Sequence, residues 1–241
     1  MGKKITLVHT TPLAMGPIVA AFSEIYPEAE LRNVLDDCLL SDLQAAGGKA
    51  SPALKRRLAD LIEYSEKSGA AAILLTCNSY SPLAEPITEL VSVPFFKADD
   101  ALLDKAVELG RIIGLIATVP TALAQATAGL HDRGRAAGKK VEVVPRLRED
   151  ALEALKRGDT DAHDLALLES IRELAPRVEV VALAQYSMAR VMPRIPPDLG
   201  VPVLSSPHTG VERIRERLER GVVVRGRQKG GRERRIAGIL T

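Results

Sequence analysis

The 241-residue chain has two cysteines, and their surroundings differ. Cys77 closes the run AAILLTC and is followed by Asn78, Ser79, Tyr80, Ser81 and Pro82. A short apolar run of this kind reads as a buried strand, and a proline just beyond it suits the first turn of a helix. The thiol is therefore expected at a strand-to-helix turn, beside free backbone N–H groups. Such a setting favours thiolate and lowers a cysteine pKa towards the range of proton exchange at neutral pH; a cysteine that only fills space is the alternative. Similar turns recur at Thr118, Val119, Pro120 and at Ser205, Ser206, Pro207. Hydroxyls and free N–H groups at a helix start suit an anionic oxygen, although ordinary helix capping accounts for any one of them. With no Lys or Arg at these turns, the fitting ligand is a carboxylate held by hydroxyls and amides.

Other polar side chains carry less. Cys38 begins the stretch CLLSDL and reads as a packing residue, and the adjacent Asp36 and Asp37 read as solvated or capping acids. His9 lies inside a strand and is expected to be a satisfied buried histidine. His131 and His163 fall on helical or loop surface and receive no role. His208 and Tyr186 each lie just past a strand end, His208 as a candidate second acid/base and Tyr186 as a candidate pocket wall. The C-terminal run from Arg213 to Arg235 is dense in positive charge but lacks interleaved aromatics. It reads as a solvated helix face and tail, so a nucleic-acid partner is not favoured.

These residues need elements to hold them. Short β-branched runs alternate with helical patterns along the chain, the signature of βα units and parallel sheets. Eight strands are expected, near 4–10, 30–35, 71–76, 93–97, 111–118, 140–145, 178–184 and 201–205, with helices between them such as 52–68 and 161–174. A shift of 108 positions lays the first, third and fourth strands onto the fifth, seventh and eighth: Thr10 meets Thr118, Ser79 meets Ser187, and Val93 and Pro94 meet Val201 and Pro202. The fold class is thus α/β, two pseudo-symmetric halves, each a four-stranded parallel sheet flanked by helices. The first half is expected over 1–96 with 209–241 packing back on it, the second over 97–208. Ligands of parallel sheets bind beyond the carboxyl ends of the strands, which points to a cleft lined by Thr10, Thr11, Cys77, Asn78, Ser79, Thr118, Gln185, Tyr186, Ser187 and the Ser205–His208 turn.

Composition bounds the function. The hydrophobic share of 46%, the charged share of 27% and the net charge of +2 describe a globular chain rather than a disordered one. The N-terminus runs straight into a strand with no signal-peptide segment, and no apolar run reaches the roughly 18 residues of a membrane span. The expectation is a cytoplasmic protein with no membrane partner, and a homo-oligomer is compatible with the sequence. Two cysteines make neither a disulfide framework nor a metal cluster, and no phosphate-cradling motif is present, so no cofactor and no metal are expected.

In its strand-turn-helix setting, the motif TCNSYSP resembles the first catalytic cysteine motif of the aspartate/glutamate/hydantoin racemase superfamily. The segments NVLDD, VALAQYSMARV and VPVLSSP resemble a poorly characterised bacterial branch of it, so the likeness runs from residue 4 to about 215. The resemblance implies cofactor-independent proton transfer at the carbon next to a carboxylate, with Cys77 as the first cysteine, carboxylate contacts at Asn78 and Ser79, and substrate contacts at Thr10, Thr11 and Thr118. It also implies a second cysteine from the other half, and that position is Gln185. An amide can donate hydrogen bonds to a carboxylate or enolate but cannot shuttle a proton near neutral pH. The leading expectation is a racemase or isomerase acting on a small carboxylic or amino acid through Cys77. The alternatives are a decarboxylase or lyase with a single cysteine proton donor, as in the arylmalonate decarboxylases of the superfamily, and a noncatalytic small-acid or nucleic-acid binding protein.

Overall fold

The computed structural model describes residues 2–88 and 91–227. In the first half the chain runs β1 (Lys4–His9), α1 (Met15–Ile25), β2 (Glu30–Leu35), α2 (Leu39–Ala45), α3 (Pro52–Lys67), β3 (Ala72–Leu75), α4 (Ser81–Thr88) and β4 (Phe95–Phe96). It continues through α5 (Asp100–Leu109), β5 (Ile112–Ala117), α6 (Pro120–Ala136), β6 (Glu142–Leu147), α7 (Glu149–Lys156), α8 (Thr160–Leu174), β7 (Val180–Leu183), β8 (Val203–Ser205) and α9 (Ser206–Arg227). Local chemistry sets several boundaries. Ser51 accepts a hydrogen bond from the N–H of Leu54 at 3.2 Å and Pro52 follows it, so α3 starts there. Gly69, at φ 83°, supplies the left-handed residue that turns the chain from α3 into β3.

All strands are parallel, in two four-stranded sheets ordered β2-β1-β3-β4 and β6-β5-β7-β8. The internal repeat is visible residue by residue. The pairs Ile5–Ala72 and Val8–Leu75 of the first sheet recur 108 residues on as Ile113–Val180 and Ile116–Leu183, and Ile73–Phe95 recurs as Val181–Val203. The outer strands break the register, because Lys4 pairs with Glu30 whereas Ile112 pairs with Glu142. A four-residue lengthening before β6 is why one shift could not align β2 with it.

Both sheets are covered on both faces, so the central strands are apolar throughout: all four residues of β3 and of β7 are buried. Alternate side chains of β1 serve different layers. Ile5 and Leu7 pack with Ile18 and Phe22 of α1 and Val211 and Ile214 of α9, while Val8 packs with Leu39, Leu58 and Ile62 of α2 and α3. In the second half, Ile113 and Leu115 face α5 and α6, and Ile116 faces α8. No helix among the described residues is long and apolar enough to cross a membrane. Of the basic C-terminal run, Lys229, Arg232, Arg234 and Arg235 lie outside the described residues.

Candidate active site

β3 delivers Cys77 to a short turn, Asn78–Tyr80, that leads into α4. Around the sulfur stand the Thr10 hydroxyl from the end of β1, the Ser79 hydroxyl, and the backbone N–H groups of Ser79 and Tyr80. Thr10 is close enough to favour the anionic sulfur, yet in this rotamer its Oγ1 completes no hydrogen bond. On its other side Cys77 belongs to the apolar cluster of Tyr80, Ala84 and Leu39, and it is only 7% exposed. The expectation of a lowered pKa is corrected by this burial. Loss of hydration penalises the thiolate more than the four donors stabilise it, and the Cys77 thiol is pushed up from its ordinary 9.0. Cys77 rests as a neutral thiol.

The two halves meet beside it. Asn78 donates through Nδ2 to the carbonyl oxygen of Ala184 at 2.5 Å, tying the end of β3 to the end of β7. The next residue, Gln185, occupies the position that repeats Cys77. Its Oε1 accepts from both the N–H of Thr118 at 2.6 Å and the Thr118 hydroxyl at 3.0 Å. Both donors of Thr118 are thus directed at a neighbouring amide. Among the described residues, the Nε2 amide of Gln185 has no hydrogen-bond partner. Tyr186 is buried and donates its hydroxyl to the carbonyl of Ala98 at 3.2 Å.

Three other expected residues lie off this core. Thr11 caps a turn, accepting from the N–H of Leu13. Ser187 and His208 line a separate cavity of about 720 Å³ between α1 and the segment Tyr186–Arg194, a cavity whose lining does not include Cys77. His208 holds Ser205 Oγ at 2.6 Å through Nδ1 and faces Glu24 at 3.4 Å through Nε2. The expected set thus divides into a Cys77 group and a Ser187–His208 group.

Cys38 is exposed, not packed. Asp36 is neither merely solvated nor merely a cap: Arg57 occupies its carboxylate through Nε at 3.0 Å and Nη2 at 2.6 Å. Asp36, Asp37 and Cys38 bring ligand atoms within 4.8 Å of one another, but a guanidinium already fills that corner. His163 is wholly buried in α8 rather than on the surface, with Nδ1 2.8 Å from Asp164. His9 is the satisfied buried histidine expected, held by Thr76 at 2.8 Å and Asn33 at 2.9 Å across three adjacent strands.

Sequence reasoning missed Asp99. It follows β4, and its half-buried carboxyl is pushed up from 3.8, first by loss of hydration and then by Asp100, against weaker opposition from its own backbone N–H, Arg133 and Ser81. Tyr186 lies within its field. The strand-end rule that found Cys77 would have found Asp99, had it been applied to the fourth strand.

A model of the family described as Asp/Glu/Hydantoin racemase matches residues 19–214 of the chain. No curated protein matches the sequence significantly. Among solved structures, an aspartate racemase homologue from Pyrococcus horikoshii superposes with TM-score 0.68 at 19% identity, covering 89% of this chain and 98% of that one. An allantoin racemase from Klebsiella pneumoniae gives 0.67 at 16% identity over 91% and 89% of the two chains. A glutamate racemase from Francisella tularensis, in complex with D-glutamate, gives 0.66 at 16% identity over 91% and 82%. Identities this low speak for the shared fold.

Proposed function

The chain belongs to the Asp/Glu/hydantoin racemase family, and from that premise we propose that it moves a proton at the α-carbon of a small carboxylic or amino acid, with the Cys77 sulfur as the acid/base and without a cofactor. The observation that carries the reading is the sulfur's position. It sits at the end of β3 under four donors from Thr10, Ser79 and Tyr80, beside the Asn78–Ala184 bond that joins the halves. Donors aimed at developing negative charge are worth most where water is excluded.

In the forward step the Cys77 thiol first gives its proton to solvent, and the resulting thiolate takes the α-proton. The electron pair of the C–H bond moves into the carboxylate as an enediolate, and the sulfur becomes a thiol. The Gln185 Nε2 group, held in place by the bonds of Oε1 to Thr118, is oriented to donate to that enediolate. Asn78 serves by closing the seam through Nδ2, and Ser79 by supplying donors to the sulfur. His208 faces the separate cavity with Ser187, so the proton is assigned to Cys77 alone.

A specific observation favours a second reading. A thiol kept neutral by burial is ready to give a proton before it can take one, and the residue at the repeat position is an amide. A decarboxylase or lyase, in which carbon dioxide leaves and Cys77 protonates the resulting enediolate from one side, uses that resting state directly. Incubation with amino acids, hydantoins and substituted malonates in deuterated water distinguishes the two. The first reading expects α-deuterium exchange, the second carbon dioxide release with deuterium on one face. Turnover undiminished in Cys77→Ala would overturn both.

A further inference from the structure

We infer that the cavity between α1 and the segment Tyr186–Arg194 is a second binding site, distinct from Cys77, for an amphipathic organic anion: a carboxylate or phosphate head on a short apolar body, with the head on Arg190. The inference rests on the cavity and its polar wall and does not depend on the reaction proposed for Cys77.

At about 720 Å³ the cavity is within the range that takes a drug-sized ligand. Its walls come from both halves and are mainly apolar: Leu13, Pro17 and Ala20 on one side, Leu155, Met192 and Pro193 on the other. Leu13 is 43% exposed although it is a large apolar residue, so the apolar wall is open to solvent. Arg190 stands in this wall, and its posture is built from behind. Nε donates to Oδ1 of Asp164 at 2.8 Å, and Asp164 is itself buried, with a side chain 4% exposed. The same carboxylate is held by His163 Nδ1 at 2.8 Å and by Arg194 Nη1 at 3.2 Å. A buried acid braced on three sides orients a guanidinium through one edge. The remaining Nη groups of Arg190 have no hydrogen-bond partner among the described residues. That free edge has the fork geometry that matches a carboxylate or a phosphate. The Ser187 hydroxyl stands on the same wall as a further donor, while Glu24 and His208 face each other at 3.4 Å on the cavity's polar side. A bare inorganic anion would leave the apolar wall unused, and a neutral apolar molecule would leave the guanidinium unmet. A molecule with both parts uses the whole surface.

Isothermal titration of the full chain with hexanoate and with hexyl phosphate tests the inference, with acetate and 1-hexanol as half-molecule controls. At least one amphipathic anion should bind one to one, and both controls should bind about tenfold more weakly or worse. The stronger of the two anions identifies the head group. Arg190→Gln should weaken binding about tenfold or more, the scale of a charge-assisted hydrogen bond. Because that change also disturbs Asp164, Ala20→Trp provides an independent arm: Ala20 is exposed at the cavity wall, and an indole there fills the space while leaving the Asp164 network intact. Binding should be lost in Ala20→Trp and unchanged in Cys77→Ala. Absence of binding by both anions, full binding in Ala20→Trp, or loss of binding in Cys77→Ala would overturn it.

Discussion

Alkylation of Cys77 across the pH range reports directly on the balance between burial and donors at the sulfur. In a Cys38→Ser background, which removes the exposed thiol, Cys77 is the sole target for iodoacetamide. A thiol with the ordinary value of 9.0 is about 1% thiolate at pH 7, and burial holds Cys77 above that value, so its reactive fraction is smaller still. The rate should therefore climb about tenfold for each pH unit from 6 to 8 and should still be rising at 9. At pH 7 it should fall well below that of a small exposed thiol, because the 7%-exposed sulfur must also wait for the seam to open. Ser79→Ala removes a hydroxyl donor to the anionic sulfur. A hydrogen bond to a charged group is worth roughly 1.5 kcal/mol or more, so the rate at pH 8 should drop by about tenfold. Stopped-flow or mass-spectrometric labelling measures all three. A rate that levels off below pH 8, or that outpaces glutathione at pH 7, would mean that the thiolate is the resting form and that the donors outweigh burial at the sulfur.

Other perturbations read different parts of the molecule. Gln185→Ala strands the N–H and hydroxyl of Thr118; the expected cost is about 1–3 kcal/mol, read from urea unfolding, and an unchanged midpoint would show that water replaces the amide. Asp99→Asn should raise the melting temperature at pH 8. The folded carboxyl is held above 3.8, so the native state opposes its ionisation; the penalty is absent below 3.8, grows as pH rises from 3.8 to the raised value, and is full above it. Equal melting temperatures for wild type and variant at pH 8 would contradict this. Leu58→Ala removes a fully buried side chain from the layer between α3 and the first sheet and should cost about 2–5 kcal/mol in chemical denaturation.

The sequence alone determined the features whose cause is local or repetitive. Strand runs such as AILL at β3 announce themselves because a parallel strand covered on both faces must be apolar throughout. The 108-residue shift found the doubled sheet because paired strands keep their register when a module is duplicated. It was blind to β2 and β6, where the spacing changed. Cys77 was legible as a strand-end residue for the same local reason. Tertiary structure alone decided how that cysteine behaves, since its ionisation depends on Thr10 from β1 and on the helices that desolvate it, all remote in sequence. The capture of Thr118 by Gln185, the Asn78–Ala184 bond and the bracing of Arg190 by Asp164 likewise join residues 26 to 106 positions apart. Periodicity records which face of an element is buried. Which polar atoms meet there, and how much water they lose, follows from distances that only the folded chain sets.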